Sequence, residues 1–158
     1  MKNVHIFGII GILLVYFIIS KSKKMAVKNN PFAVLEKSFI ERIGADKAKF
    51  AMAQIKYELG GKINDLARLN NYSGITFVGQ KYAEDSHIKQ PDGKLNYASY
   101  KTPAHYIEDY LRIVGNSIKN ASTLEDYARN LKRQNYYGDT LQNYTRGLAY
   151  WYKKSANV

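Results

Sequence analysis

Hydrophobic residues form one unbroken run near the start of the chain, and the pattern after it is different. Val4 to Ile19 reads VHIFGIIGILLVYFII, with one histidine and no formal charge, and lysines flank it on both sides. At about 1.5 Å per residue, a helix of this length just crosses a thin hydrocarbon core and satisfies its own backbone hydrogen bonds. The run therefore predicts a transmembrane anchor over residues 1–21, followed by a basic linker over residues 22–30.

A cleavable signal peptide is the alternative interpretation of this run. The segment from Ser20 to Lys24 reads SKSKK and offers no small-x-small cleavage site, which favours an uncleaved anchor. More lysines follow the run than precede it, so the positive-inside rule places the next domain on the cytoplasmic side of the membrane.

From residue 31 onward, apolar residues recur at helical spacing between cap signals. Asn30 caps a first helix that has Pro31 at its first position and runs to Gly44. Asp46 is the expected cap of a second helix, which the glycine pair at 60 and 61 ends. A short third helix fits residues 64–69.

Residues 74–100 interrupt the helical pattern. The dipeptide Asp92-Gly93 is a strong signal for a two-residue hairpin turn, so this segment predicts a small β-hairpin lobe. Three capped helices follow it, Thr102 to Gly115, one from Ser122 or Thr123, and Asp139 to Lys153. Ser122 with Glu125 fits a capping box. The pattern predicts a mainly α domain over residues 31–158.

The formal net charge is +11, from 24 basic and 13 acidic residues. Such a surface favours polyanions such as nucleic acid, anionic lipid or cell wall. The basic residues are scattered rather than blocked together, which argues against a nucleic-acid arm. The chain has no cysteine, and His5, His87 and His105 lack ligand spacing, so we expect no metal ion and no other cofactor.

Tyrosine occurs 14 times in the chain. Its ring stacks on pyranose faces and its hydroxyl binds polar groups, as sugar sites require. Core packing is the alternative role for most of these side chains.

Glu58 is the strongest candidate for chemistry because it ends the second predicted helix, just before the glycine pair. The helix dipole disfavours a carboxylate there, and desolvation by Tyr57 and Leu59 acts in the same direction. Both effects raise the pKa, as a general acid needs near neutral pH. A surface glutamate without function is the alternative.

Four segments, in order, resemble the glucosaminidase domain of glycoside hydrolase family 73. They are residues 53–60 (AQIKYELG), 66–75 (LARLNNYSGI), 96–110 (NYASYKTPAHYIEDY) and 127–147 (YARNLKRQNYYGDTLQNYTRG). Two departures stand out, because Leu59 occupies a position where the family has serine or threonine, and Ser73 replaces an aromatic residue.

The resemblance implies a lysozyme-like helical domain that cleaves the β-1,4 bond between N-acetylglucosamine and N-acetylmuramic acid in peptidoglycan. Glu58 would then protonate the glycosidic oxygen. Asn71 would lie in the cleft and orient the acid or the substrate. Tyr100 and Tyr136 would line the groove, with Tyr136 helping to stabilise the reacting sugar.

A glycosidase usually needs a second carboxylate, which in this family lies on the β-lobe. Asp92 is expected to be occupied by its turn with Gly93. Glu84 is the preferred candidate and Asp85 the alternative, since neighbours in a strand face opposite sides. The substrate's own acetamido group could instead take the place of the second carboxylate. A further alternative is that the enzyme has no second catalytic group, as in a lytic transglycosylase.

The predicted partners are peptidoglycan glycan strands, a lipid membrane contacted through residues 4–19, and other virion or envelope proteins. A single-pass protein of a bacterial envelope, or of the internal membrane of a phage virion, fits the anchor. The virion membrane reconciles two features. The lysines would keep the domain on the inner side of a cell membrane, whereas the wall substrate lies outside it. A catalytically degenerate wall-binding or structural virion protein is the non-enzymatic alternative.

Overall fold

Six helices and two strands follow one another through residues 30–156, the part of the chain that the computed structural model describes. The helices are α1 (Pro31–Ile43), α2 (Ala45–Glu58), α3 (Asp65–Arg68), α4 (Pro103–Lys119), α5 (Leu124–Arg133) and α6 (Leu141–Ala156), and the strands are β1 (Ala83–Lys89) and β2 (Asn96–Tyr100). The prediction of a mainly α domain with a small β-hairpin lobe is confirmed.

The predicted anchor and linker, residues 1–29, lie outside the described residues. Within the described ones, no helix combines the length and the apolar character needed to cross a membrane. From Leu35 onward, the described residues belong to one compact unit.

The core is built around α2, which contributes seven buried residues. Helix α2 packs against α6 and α4, and α5 contacts both of those helices. Four tyrosines are at most 2% exposed, namely Tyr106, Tyr110, Tyr127 and Tyr144. Their rings fill space as phenylalanines would, so these four tyrosines serve the interior rather than the surface.

Two glycines allow α2 and the loop after it to approach α6 closely. A Cβ on Gly147 of α6 would lie 2.2 Å from the Tyr57 ring. A Cβ on Gly61, whose φ is +71°, would lie 1.9 Å from the Trp151 ring. Neither distance is compatible with a real side chain, so both aromatic rings lie where only glycine leaves room.

The β-lobe is an antiparallel pair with an irregular middle. Ala83 pairs with Tyr100, and the register shifts between Asp85 and Lys89, so a bulge separates two short ladders. The connection is longer than the two-residue turn that was predicted. Gly93 N–H donates to the Gln90 carbonyl at 2.9 Å, which makes the tight turn span residues 90–93.

The reason for the longer connection is Pro91, whose fixed φ suits the second position of an ordinary β-turn. Asp92 is indeed occupied by the turn, because its Oδ1 accepts a hydrogen bond from Lys94 N–H at 3.1 Å.

Helix starts agree with the cap signals at Asn30, Asn64 and Thr102 and differ elsewhere by one or two residues. Helix α2 begins at Ala45 after Gly44, so Asp46 lies within its first turn. The capping box joins Thr123 to Asp126, not Ser122 to Glu125.

Helices α4 and α6 end or begin away from their predicted positions. In α6 the cap is Thr140, whose hydroxyl accepts from Asn143 N–H at 3.2 Å. Helix α4 continues beyond Gly115 to Lys119 because Val114 and Ile118 are buried, which outweighs the helix penalty of one glycine.

We expect Gly147→Ala to lower the free energy of unfolding by about 1–3 kcal/mol, the usual cost of overpacking. The matched control is Gly115→Ala, where an added Cβ meets nothing within 4 Å. That substitution removes the glycine penalty inside α4 and should raise the free energy of unfolding by about 0.5–1 kcal/mol. Urea unfolding of the full chain, followed by circular dichroism, measures both. A change of the same sign in the two variants would contradict the close approach of α2 and α6.

Candidate active site

A cleft of about 580 Å³ lies between the β-lobe and the helices. One wall comes from residues 73–80 and the hairpin, and the other from the end of α2, α4 and the loop before α6. The lining residues are Glu58, Leu66, Ser73, Gly74, Ile75, Thr76, Val78, Gln80, Gln90, Tyr97, Ile113, Tyr136, Tyr137 and Gly138. The cleft therefore combines aromatic rings, amides and one carboxyl group.

Glu58 is the last residue of α2 and carries that carboxyl group. Its Oε1 accepts a hydrogen bond of 2.7 Å from the hydroxyl of Tyr144, a residue that is 2% exposed. Part of the Glu58 side chain is open to solvent, yet burial of the carboxyl raises its pKa, and the Tyr144 hydrogen bond opposes that rise. A carboxyl with these properties keeps its proton to a higher pH than an exposed glutamate does.

Tyr144 is held between two other tyrosine rings. It stacks on Tyr137 with 3.6 Å between ring centroids and meets Tyr57 edge to face at 5.2 Å. The ring therefore has little freedom, and its hydroxyl is fixed in place against Glu58. Sequence reasoning did not single out Tyr144 or Tyr137, because the contacts of Tyr144 with Tyr57 and Glu58 join residues far apart in the chain.

Tyr136 lines the same cleft, as the resemblance implied. Burial raises the pKa of its hydroxyl, and the negative charge of Glu58 raises it further, while Ser73 and Gln54 lower it. Although Ser73 and Gln54 lie close enough to lower that pKa, neither the Tyr136 hydroxyl nor Gln54 Nε2 forms a hydrogen bond of standard geometry among the described residues. The hydroxyl is therefore a buried polar group at the cleft wall that a ligand could satisfy.

Gln54 lies one helical turn before Glu58 and is completely buried. Its Oε1 accepts hydrogen bonds from the hydroxyls of Tyr110, at 2.6 Å, and Tyr127. Because both donors act on the oxygen, they fix which end of the amide is Oε1 and which is Nε2.

Asn71 does not line the cleft, although a position there was expected. It is fully buried, and its Nδ2 donates to the carbonyls of Ile75, at 2.8 Å, and Ala98, at 2.9 Å. Its Oδ1 accepts from Ile75 N–H at 2.8 Å. All of these bonds go to backbone, so Asn71 shapes the loop that forms one cleft wall.

Tyr100 does not line the cleft either. It is 4% exposed, and its ring meets Tyr106 edge to face at 5.6 Å. The side chain belongs to the core between β2 and α4. Packing is therefore the role that the structure gives it, in place of the expected position in the groove.

The two candidates for a second carboxylate also lie outside the cleft lining. Glu84 is exposed and forms a 3.0 Å ion pair with Lys101. Asp85 accepts hydrogen bonds from His87 N–H and from Asn96 Nδ2, and the His87 bond is the main reason that its pKa is lowered. Both carboxylates are engaged locally on the hairpin, so Glu58 is the one acidic residue among those that line the cleft.

A second cavity in the described region has a volume of about 620 Å³, and it is a weaker candidate for catalysis than the cleft at Glu58. Its lining includes Arg42, Lys47, Arg112 and Lys119 but no acidic residue. It therefore offers no carboxyl group that could act as a general acid. Within residues 30–156, no group of three or more histidine, aspartate or glutamate side chains could hold a metal ion.

No family model, no curated protein and no solved structure matches this chain.

We expect Tyr144→Phe to raise the pKa of Glu58, because the hydrogen bond that the tyrosine donates favours the ionised carboxyl. The ring and its stacking remain. The control is Tyr137→Phe, which removes a hydroxyl that donates to the Ala128 carbonyl instead. Carbon-13 NMR titration of the glutamate carboxyls measures both. An unchanged or lowered pKa of Glu58 in Tyr144→Phe would show that this hydrogen bond does not govern its ionisation.

Proposed function

We propose that the domain cleaves the glycan strands of peptidoglycan, with Glu58 as the general acid that protonates the β-1,4 glycosidic oxygen. The observation that carries the proposal is the position of Glu58: a carboxyl with a raised pKa, held by Tyr144, in a cleft lined by aromatic and amide side chains. These are the properties that acid-catalysed glycoside cleavage requires.

The composition of the cleft supports a sugar ligand. Tyr97, Tyr136 and Tyr137 offer ring surfaces on which pyranoses stack, and Gln80 and Gln90 offer amides for hydroxyl and acetamido groups. The net charge of +11 favours a polymer that carries carboxylates or phosphates.

Two routes remain for the step after protonation. In the hydrolase route a water completes cleavage between N-acetylglucosamine and N-acetylmuramic acid, and the acetamido group of the substrate assists. In the transglycosylase route the bond cleaved is the one from C1 of N-acetylmuramic acid to the next N-acetylglucosamine, which leaves with the proton from Glu58. The C6 hydroxyl of the same muramic acid attacks C1 and gives its proton to the Glu58 carboxylate, so that a 1,6-anhydro end forms. Both need only one protein carboxyl, which accords with Glu58 as the single acid in the cleft lining. A mechanism with two protein carboxylates would require Glu84 or Asp85 to leave its present partners.

The lysozyme-like plan and the membrane anchor belong to the same proposal. Anchored through residues 4–19, the domain would act on wall close to a bacterial or virion membrane.

Substituting Glu58 with Gln should abolish clearing of a peptidoglycan zymogram by the full chain. The expected loss is about 10²- to 10⁴-fold, since a general acid contributes that much. The matched control is Glu41→Gln, an exposed glutamate paired with Lys37 on α1, which should keep wild-type clearing. No clearing by the wild-type protein, or full clearing by Glu58→Gln, would contradict the proposal.

Mass spectrometry of the digest separates the two routes, because reducing ends and anhydro ends differ in mass. The substitution Glu84→Gln adds a second comparison. If it reduces activity as far as Glu58→Gln does, Glu84 acts as the second carboxylate.

The activity should fall as pH rises through the pKa of Glu58, because the acid must hold its proton. Since that pKa is raised from 4.5, the midpoint of the falling limb of kcat/KM should lie above 4.5. The stability of the folded protein depends on the ionisation of the same carboxyl group. A raised pKa in the folded state adds stability below pH 4.5 that is lost as pH rises through the folded-state value.

The variant Glu58→Gln should therefore gain stability relative to wild type as pH rises from 4.5 to that value, and should keep the gain at higher pH. Urea unfolding at several pH values tests this without reference to activity. A difference in stability that does not change with pH would show that the pKa of Glu58 is not raised on folding.

A further inference from the structure

A smaller cavity, of about 450 Å³, opens beside Tyr57, the residue before Glu58. Its lining consists of three aromatic residues, a glycine, an amide and a guanidinium, namely Tyr57, Asn143, Arg146, Gly147, Tyr150 and Trp151. Nothing in the mechanism proposed above uses this cavity.

The aromatic side chains here are partly open to solvent. Tyr150 is 58% exposed, and its ring meets Trp151 edge to face at 5.1 Å. Gly147 and Gly61 leave the spaces in which the rings of Tyr57 and Trp151 lie. The result is a set of rings held in fixed positions, one of which a ligand can reach.

The polar side chains of this cavity are linked by hydrogen bonds. Arg146 Nη2 donates to Asn143 Oδ1 at 3.3 Å, and Asn143 Nδ2 donates to Asp139 Oδ1 at 3.2 Å. Arg146 uses one N–H in this way, and the guanidinium has five in all. Its remaining donors suit an acetamido carbonyl, a hydroxyl or a carboxylate.

The residues between the cavity and the cleft contact the linings of both. Tyr57 contacts Tyr144, which donates to Glu58 and stacks on Tyr137 of the cleft lining. On the same side, Gly138 lines the cleft, and the next residue, Asp139, accepts the hydrogen bond from Asn143. The linings of the two cavities are therefore joined through Tyr144 and Asp139.

We propose that this cavity is an accessory saccharide subsite, which binds an amino sugar of the same glycan strand beyond the residues cleaved at Glu58. This inference rests on the proposed function for its substrate class. Tyr150 provides a stacking surface for a pyranose ring beside Trp151, and Arg146 binds an acetamido or lactyl oxygen. Lys154, whose ammonium lies 5.6 Å from the Tyr150 ring centroid, adds a further donor at the rim.

The single tryptophan of the chain makes the test direct, because Trp151 lies in the cavity. The full chain carrying Glu58→Gln, which removes turnover, is titrated with N-acetylglucosamine oligomers of two and of six sugars. We expect the hexamer, and not the dimer, to change Trp151 fluorescence. Adding Tyr150→Ala or Arg146→Gln should weaken hexamer binding about three- to tenfold, the range of one aromatic or charged contact.

Dimer binding, followed by NMR at the cleft, should stay unchanged in both variants. Ile40→Ala is the control, since it removes an exposed hydrophobic side chain (44%) from α1, away from both cavities. Equal hexamer affinity in Tyr150→Ala and its parent would overturn the subsite. A second outcome would also overturn the subsite, namely a change in Trp151 fluorescence with phospholipid vesicles that depends on Tyr150, together with no change with the sugars. The aromatic and lysine side chains would then form a membrane contact.

The two proposals fail separately. If wild-type protein leaves peptidoglycan intact while the hexamer still binds through Tyr150, catalysis is refuted and the subsite stands. If the wall is digested and Tyr150→Ala has no effect on hexamer binding, catalysis stands and the subsite is refuted.

Discussion

The close approach of α2 and α6 is the constraint on which the candidate site depends. It is possible because Gly147 has no side chain to meet the Tyr57 ring, and because Gly61 leaves the same room for Trp151. At that separation, Tyr144 of α6 reaches Glu58 at the end of α2 with a hydrogen bond of 2.7 Å. A wider spacing would leave the carboxyl in water with an ordinary pKa.

The interior around this contact is unusually rich in hydroxyl groups. Tyr110 and Tyr127 both donate to Gln54, and Tyr106 donates to Ser73 at 2.9 Å. Satisfying each hydroxyl restricts how the helices can pack, because a shifted helix would leave a buried polar atom without a partner. The many tyrosines therefore help to select one arrangement of the core, in addition to any part they take in binding.

Local features of the fold could be predicted from the sequence, and long-range ones could not. Caps and glycine stops act within a few residues, so the caps Asn30 and Thr102 and the end of α2 were correctly assigned. The continuation of α4 past Gly115 was missed because it depends on burial against other elements. Cap positions one residue apart, such as Ser122 and Thr123, cannot be separated by residue type alone.

The residues of the candidate site also divide into those that local sequence features could identify and those that they could not. Glu58 could be identified because its helix end is visible in the sequence, and the structure places it in the cleft. Asn71 could not be assigned its backbone role, because its partner Ala98 is 27 residues away and only folding brings them together. The contact between Tyr144 and Glu58 spans 86 residues and leaves no local signal.

The hydrogen bonds of Asn71 have a consequence for how the β-lobe would come apart. They join the loop after α3 to β2, and Asn70 Nδ2 donates to the Tyr100 carbonyl at 2.8 Å, where the lobe returns to the helices. The entry and exit of the lobe are thus fastened to each other. Such a segment opens cooperatively, as one unit of hydrogen exchange and not residue by residue, so the cleft would keep its whole outer wall or lose it in a single event.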